Sequence, residues 1–320
     1  MIPEGVTPRG TASQPASQLV YGDDARDRAG VTEATMADTS TSTAASRTTV
    51  DPLPDEQRDE ALAFLSERPV HTVIMAGLLR EYGPRVPAPP GTFYGCRDSR
   101  GRLEGLALIG RATMFEARTS RACVAFARLA RASESVRMIM GEEGELREFW
   151  SNYSPSGRAP RLSCRELFYQ FTRGADAEGG AGLRRATLDE LEQIVSAHAE
   201  MVAEESGVNP LAADPHGFRL RCALRVAQGK VWTLIEKGEL IFKAEVIAET
   251  PHAAYVEGVW VAPSRRKAGY GRRCWSQLSR ALLDRRPAFC GFVNAANTGA
   301  HSFYERVGGT VLGTYDKVYV

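Results

Sequence analysis

The chain lacks the features that mark several classes of protein. Its six cysteines include no C-x-x-C pair, which argues against a zinc site or a disulfide framework and favours buried free thiols. No apolar run is long enough for a transmembrane helix, and the start of the chain has no apolar segment typical of a secretory signal. A net charge of +1 gives no electrostatic case for binding nucleic acid or a membrane. We therefore expect a cytoplasmic protein that holds no metal.

Large apolar residues are scarce in residues 1–50, which are rich in Ala, Ser, Thr, Gly and Asp. Such a segment buries too little apolar surface to offset the cost of ordering, and it predicts a disordered tail. Residues 174–182, GADAEGGAG, predict a flexible linker. The 320 residues exceed one typical domain, so we predict an α+β domain over 51–173 and a second domain over 183–320.

The pattern of the second domain is two helices, then strands and helices in alternation. A capping box at residues 187–190, TLDE, predicts a helix start, and the apolar stripe that follows includes His198, which we interpret as a packing residue. Val231–Ile235 and Leu240–Ile247 predict a hairpin. The complete order that we expect is α-α-β-β-β-α-β-α-β.

The first domain repeats part of this order. Thr92–Cys96 and Leu103–Ile109 predict a hairpin that also follows two helices. This repetition predicts that the first domain is a degenerate copy of the second, and an unrelated α+β domain is the alternative. Between its strands and its next helix the first domain reads TMFEARTSRACVAFARLA, which contains no glycine.

The most informative stretch is residues 255–271, YVEGVWVAPSRRKAGYG. The run Val256–Val261 predicts a strand, a loop with R-x-x-G-x-G spacing follows, and Arg272–Asp284 predicts a helix. A glycine loop between a strand and a helix presents backbone N–H groups to phosphate at the positive end of the helix. The Walker A spacing is absent, and Cys274 replaces the third glycine of the dinucleotide fingerprint.

The loop is followed by Asn297-x-x-Ala300-x-x-x-Tyr304-x-x-x-Gly308. Together these residues resemble the acetyl-CoA site of the GNAT N-acetyltransferase superfamily, over roughly 183–320. The resemblance implies a mixed α/β fold for the second domain and a two-domain protein with one working cofactor site. One residue departs from the family pattern, because Gly309 stands where an aromatic or aliphatic residue is usual.

The resemblance also implies how acetyl-CoA, the expected co-substrate, is held, and it implies no metal. The pantetheine arm would pair with the strand at Val259–Val261, and the pyrophosphate would lie over the glycine loop. The implied cofactor-binding residues are Val259, Trp260, Val261, Arg266, Lys267, Ala268, Gly269, Tyr270, Gly271, Arg272, Asn297 and Ala300. For Asn297, capping of the last helix is an alternative role.

Direct transfer to an amine needs a group that takes the ammonium proton and a group that protonates the leaving thiolate. By resemblance Tyr304 is the proton donor, with a packing role as the alternative. Glu257 is the candidate base because it stands two residues before Val259 and is expected on the same face of the strand. Glu245 is the alternative base, and for either carboxylate a salt bridge is an alternative role.

The leading hypothesis is an acetyl-CoA-dependent N-acetyltransferase that acts on a primary amine of a small molecule or a protein. The alternative is a non-catalytic acyl-CoA-binding sensor. The loop Glu204–Asp214 is expected to border the acceptor groove, but its residues do not identify the acceptor. The sequence leaves open whether the protein forms a homo-oligomer.

Overall fold

The structure is a computed structural model that describes residues 48–87, 90–157, 159–175 and 182–320. Most of the predicted tail, residues 1–47, and most of the predicted linker, residues 176–181, lie outside the described residues. The domain boundaries therefore stay a prediction.

Strands and helices alternate along the described chain. Within it the strands are β1 (Thr49–Pro52), β2 (Arg85–Pro87), β3 (Pro90–Arg97), β4 (Leu103–Gly110), β5 (Ala112–Ala117), β6 (Met138–Glu142), β7 (Leu162–Phe171), β8 (Arg184–Arg185), β9 (Val231–Glu236), β10 (Glu239–Glu249), β11 (Ala254–Val261), β12 (Phe289–Asn294) and β13 (Thr310–Tyr319). The helices there are α1 (Arg58–Ser66), α2 (Val73–Tyr82), α3 (Ser120–Arg131), α4 (Glu143–Tyr153), α5 (Leu191–Ser206), α6 (Pro210–Ala213), α7 (Pro215–Ala227), α8 (Tyr270–Leu283) and α9 (Thr298–Arg306).

Local signals in the sequence set several of these bounds. The predicted capping box forms between Thr187 and Glu190 just before α5, and α5 ends at Gly207, whose φ of 72° suits glycine. The hairpin of β9 and β10 turns through Lys237 and Gly238, both at positive φ, which is the backbone twist that two-residue hairpin loops require.

All strands of the described chain belong to one mixed sheet. Its order is β1-β3-β4-β5-β6-β13-β7-β12-β11-β10-β9-β8, and β2 pairs with β3 off this path. Neighbours are antiparallel except for two parallel pairs, β5 with β6 and β11 with β12. The mixed α/β fold expected from the sequence is confirmed.

The sheet contains the same arrangement twice. The series α1-α2-β3-β4-β5-α3-β6-α4-β7 is repeated by α5-α7-β9-β10-β11-α8-β12-α9-β13. Each series has one parallel pair, and the two short strands β1 and β8 lie beside β3 and β9 in matching positions. The repeat predicted from the two hairpins is therefore present, although the sequence did not predict β1, β2, β5, β6 or β8.

The last strand of each series is paired with the other series. β13 lies between β6 and β7, and β7 pairs with β12 from Phe171 opposite Phe289 to Glu166 opposite Asn294. The first half thus supplies a strand next to β12, and the second half supplies a strand next to β6. A single apolar cluster consequently crosses both halves, with Leu79 of α2 beside residues of β7, β10, β12 and β13.

The six cysteine thiols are free and buried, as the sequence predicted. Burial raises the pKa of Cys96 and Cys222 to about 11 and that of Cys123 and Cys274 to about 12, so these thiols are poor nucleophiles at neutral pH. Among the described residues, no cluster of His, Cys, Asp and Glu could hold a metal ion. No helix in the same part of the chain is long and apolar enough to cross a membrane.

Helix α2 of the first half packs closely on β10 of the second half. A Cβ added at Gly77 would lie 2.6 Å from Cβ of Ala248 and 3.2 Å from its Cα. We expect Gly77→Ala to lower the free energy of unfolding by about 1–2 kcal/mol, because crowding outweighs the gain in helix propensity. Gly144→Ala in α4 is the control, since a Cβ there meets nothing within 4 Å. Urea unfolding would contradict tight packing of the halves if both variants were equally stable.

Candidate active site

Backbone geometry at the glycine loop favours anion binding. From β11 the chain passes through a short 3-10 turn, Pro263–Arg265, and enters α8 at Gly269. Lys267 and Gly269 have positive φ of 63° and 82°, so glycine at position 269 allows the turn without strain. A Cβ at Gly271 would meet neighbouring side chains only at 3.5 Å or more, so the protein's own contacts do not demand glycine there.

The first turn of α8 has no side-chain cap. Thr119, Asp214 and Asn297 cap α3, α7 and α9 by accepting backbone hydrogen bonds, whereas α1, α2, α4 and α5 begin without a side-chain cap, as α8 does. The N–H groups at the start of α8 therefore remain available to an anion at the positive end of the helix. The loop and this first turn also carry five cationic side chains, namely Arg265, Arg266, Lys267, Arg272 and Arg273.

Most of the predicted phosphate-loop residues lie at the surface around this helix end. The exposed ones are Arg266, Lys267, Ala268, Gly269 and Arg272. Tyr270 is the exception, because its hydroxyl donates a 2.6 Å hydrogen bond to Glu236 and ties the start of α8 to the hairpin of β9 and β10. The helix end is thus fixed while the loop stays accessible.

The two parallel strands beside the loop diverge. β11 and β12 pair only at Ala254 with Phe289 and Tyr255 with Cys290. At the point of divergence Gly291 approaches the backbone closely, since a Cβ there would lie 2.8 Å from the carbonyl oxygen of Val256. Beyond this point Val259–Val261 has no ladder with β12, which leaves backbone groups for an extended ligand to pair with.

A bulge in β11 changes which side chains share a face. Gly258 has a φ of 61°, and Lys243 and Glu245 of β10 pair with Trp260 and Glu257, so β11 carries one extra residue here. The expectation that Glu257 and Val259 share a face is therefore wrong. Val259 packs toward α8, whereas Glu257 lies on the side of α5 and α7.

Buried charged groups surround the bulge. Nζ of Lys243 donates to the carbonyl of Gly258 at 3.1 Å and to Glu245 at 2.6 Å. Nδ1 of His198 lies 3.1 Å from Glu245, and its ring stacks on Phe218. The packing role expected for His198 is present, but the ring also belongs to this polar network, and burial lowers its pKa to about 4.

The two candidate bases have different surroundings. Although burial opposes ionisation of Glu245, Lys243, His198 and Arg225 hold its pKa well below the usual range. Within the described part of the chain, Glu257 pairs with one cation, Arg225, whose Nη1 lies 3.3 Å from Oε1, and Oε2 meets no hydrogen-bond donor. Burial raises the pKa of Glu257. Glu257 is therefore the carboxylate better suited to accept a proton.

Tyr304 lies in an aromatic cluster on the opposite side of the sheet. Its ring stacks on Trp275 at 5.0 Å and meets Phe171 and Tyr169 edge to face. Burial raises the pKa of the phenol, which therefore stays protonated and able to donate. Val259 packs on the same cluster, so Tyr304 and Glu257 flank β11 from opposite faces.

Contacts of the last helix explain two further residues. Asn297 caps α9, with Oδ1 accepting from Ala300 N at 3.0 Å, so the capping role is confirmed. Gly309, the departure from the family pattern, leaves room for an aromatic ring. A Cβ there would lie 2.7 Å from Phe171, which comes from β7 of the first half. Because β7 pairs within the second half, the ring of Phe171 fills the space that an aromatic or aliphatic side chain at position 309 would occupy.

A cavity of about 350 Å³ opens near the end of β12. It is lined by Glu204 and Glu205 at the end of α5, by the start of β7 and by Asn294. Behind it, Lys317 of β13 contacts Glu205 and lies 3.2 Å from Glu166 of β7. One ammonium cannot balance both carboxylates, and burial raises the pKa of Glu205 to about 8.

The corresponding place in the first half is closed. Arg68 bridges the parallel pair, with Nη1 3.1 Å from Glu116 of β5 and its other nitrogen in contact with Glu142 at the end of β6. Thr119 caps α3 by accepting from Ala122 N. β5 and β6 also stop pairing after Met114 opposite Met140, but Arg68 spans the space between them and α3 is capped, consistent with the glycine-free sequence of this segment.

Several residues around the site were not singled out from the sequence. They are Lys243, Arg225, Gly258, Glu166 and Lys317. For Lys243 the sequence does contain a signal, because it is a charged residue within the largely apolar strand LIFKAEV, and such a residue indicates a buried ion pair or a functional site. The others depend on the bulge and on the strand exchange, which local patterns do not encode.

Comparisons with known proteins agree with this geometry. A model of the acetyltransferase (GNAT) family matches residues 199–309. No curated protein matches the chain.

Among solved structures, a Drosophila protein is similar at 14% identity and a TM-score of 0.63, covering 85% of this chain and 98% of its own. A tandem GNAT protein from the clavulanic acid biosynthesis pathway is similar at 15% identity and a TM-score of 0.53, and the alignment covers 85% of this chain and 98% of that protein. A GCN5-related N-acetyltransferase from Sphaerobacter thermophilus is similar at 13% identity and a TM-score of 0.52, and the alignment covers 84% of this chain and 94% of that protein. At these identities the structures support the fold. The family match thus lies in the second half of the chain, and the structural neighbours, one of them a tandem GNAT protein, support a GNAT-type fold in both halves.

Proposed function

We propose that the protein transfers an acetyl group from acetyl-CoA to a primary amine. The match of residues 199–309 to the acetyltransferase (GNAT) family supports acyl transfer in general. The observation that carries the finer proposal is the gap between β11 and β12, which lies beside the uncapped start of α8 and between Glu257 and Tyr304.

The residues present suit an acyl-CoA donor, which supplies the activated acetyl group when bound. Cationic side chains and free N–H groups at α8 would hold the pyrophosphate. Backbone groups of Val259–Val261 would pair with the amide-rich pantetheine arm of the acyl-CoA. A backbone N–H near Val259 would polarise the thioester carbonyl. Ala300 packs on the same apolar cluster as Val259 and so keeps this side of the gap apolar.

Two groups would move protons. Glu257, whose buried Oε2 has no donor among the described residues, would take the proton of the acceptor ammonium through intervening water. The hydroxyl of Tyr304 would protonate the departing sulfur from the other face of β11. The buried thiols make a covalent cysteine route unfavourable.

The acceptor would enter through the cavity beside Glu204 and Glu205. Glu204 is exposed at its rim, and its carboxylate favours an ammonium group over an anion. Small amines fit its volume of about 350 Å³, and a protein amine on a long side chain fits as well. In a non-catalytic acyl-CoA sensor, the second candidate function, the unpaired oxygen of Glu257 would have no chemical task.

Gly269→Glu is expected to abolish CoA binding. The variant places a carboxylate where phosphate would lie and strains a φ of 82°. Gly101→Glu is the matched control, because Gly101 has a φ of 79° and open space in the hairpin of β3 and β4. Calorimetry should show loss of CoA affinity in the first variant alone. Equal affinity in both would refute the phosphate-loop assignment.

Incubation with acetyl-CoA and a panel of amines should release free thiol, and Glu257→Gln should lower kcat/KM by about a hundredfold. Because the pKa of Glu257 is raised, activity should rise with pH as this carboxyl ionises, and that limb should vanish in the variant. Glu245→Gln tests the alternative base and should retain the limb. CoA binding without thiol release for any amine would favour the sensor.

Tyr304→Phe should lower kcat roughly tenfold to a hundredfold while CoA affinity changes little, since only the phenolic proton is lost. Tyr169→Phe removes a hydroxyl from the same cluster, where it lies 3.2 Å from His301, and should leave kcat near the wild-type value. Equal rates in the wild type and Tyr304→Phe would reduce Tyr304 to a packing residue.

A further inference from the structure

A second cavity, of about 380 Å³, lies at the opposite end of the strands from the glycine loop. The cavity borders the C-terminal end of β10. Because β11 runs antiparallel to β10, the glycine loop that follows β11 lies at the other end. Its walls come from both halves: α2 contributes Arg80 and Glu81, and the second half contributes Arg185, Lys230 and Arg285. The acyl-transfer proposal uses none of these residues.

Cations outnumber carboxylates in this cavity. Lys230 pairs with Glu81 at 2.7 Å, and Arg285 lies 3.6 Å from Glu249, which also pairs with Arg286. Both lining carboxylates are therefore already engaged. Within the described part of the chain, Arg80 and Arg185 have no carboxylate within 4.0 Å.

Arg185 is held in place although no carboxylate of the described residues forms an ion pair with it. Its guanidinium stacks over the ring of Trp232 at 4.1 Å and is half-buried. Burial lowers the pKa of Arg185; the charge of Glu249 opposes this shift, and the like charge of Arg285 adds to it. A fixed, partly desolvated guanidinium beside a second cation is destabilised unless an anion joins them.

We propose that this cavity binds a small anion of the phosphate class between Arg185 of the second half and Arg80 of the first. Guanidinium forks match phosphate oxygens in two-point hydrogen bonds, and both side chains face the same space. The volume is in the range of small-molecule sites and exceeds that of inorganic phosphate, so the ligand class is a phosphorylated small molecule. Such a ligand would connect α2 with the second half.

Pyrophosphate alone is a suitable probe, and Trp232 reports on the site through its emission. Titration of the full chain should change tryptophan emission, and Trp232→Phe should remove the change. Arg185→Gln and Arg80→Gln should each weaken pyrophosphate binding by about tenfold or more, the loss expected for one charge-assisted hydrogen bond. Arg131→Gln removes one exposed charge from α3 and is the matched control, with binding unchanged.

The glycine loop can also bind pyrophosphate, so Arg266→Gln is measured in parallel and should leave the Trp232 signal intact. Pyrophosphate should also raise the melting temperature of the wild type and of Arg131→Gln more than that of Arg185→Gln. An absent emission change, a change that persists in Arg185→Gln, or an equal loss in Arg131→Gln or Arg266→Gln would overturn the proposal. Circular dichroism of each variant shows whether a loss reflects misfolding.

Discussion

The exchange of the last strands between the two halves is the constraint on which the rest of the sheet depends. β12 has β7 of the first half as its antiparallel neighbour, and β6 has β13 of the second half. Separate halves would expose these edges together with buried residues such as Phe168 and Phe171. The halves therefore share one core, and residues of β7 and β13 reach the candidate site of the second half.

Around that site the structure buries more charge than stability alone favours. Desolvating a buried ion costs several kcal/mol, and this cost is offset only when groups of opposite charge lie close and every polar atom of the ion is hydrogen-bonded. Glu245 meets this condition through Lys243, His198 and Arg225, and it stabilises the bulge that leaves Glu257 on the side of α5 and α7. Glu257 does not meet it, because one oxygen lacks a donor. An unsatisfied carboxylate beside the strand gap is easier to explain by proton transfer than by folding.

The sequence predicted what depends on local patterns. The capping box before α5, the glycine at 269 and the cap at Asn297 each follow from backbone rules that act within a few residues. The element order of the second domain followed from periodicity in the same way. The pairing of β7 with β12 and the effect of the bulge on Val259 depend on contacts between distant strands, and for this reason one predicted face was wrong.

Because the fold occurs twice, the two copies show which contacts distinguish an open space between the parallel strands from one that a side chain bridges. In the second half the parallel pair is apart and α8 begins without a side-chain cap. In the first half Arg68 joins the corresponding strands through Glu116 and Glu142, and Thr119 satisfies the helix end. Each of these contacts occupies a group that an acyl-CoA would need. The first half thus retains the fold because the shared core requires its strands, while the groups on which the proposed acyl transfer depends lie in the second half.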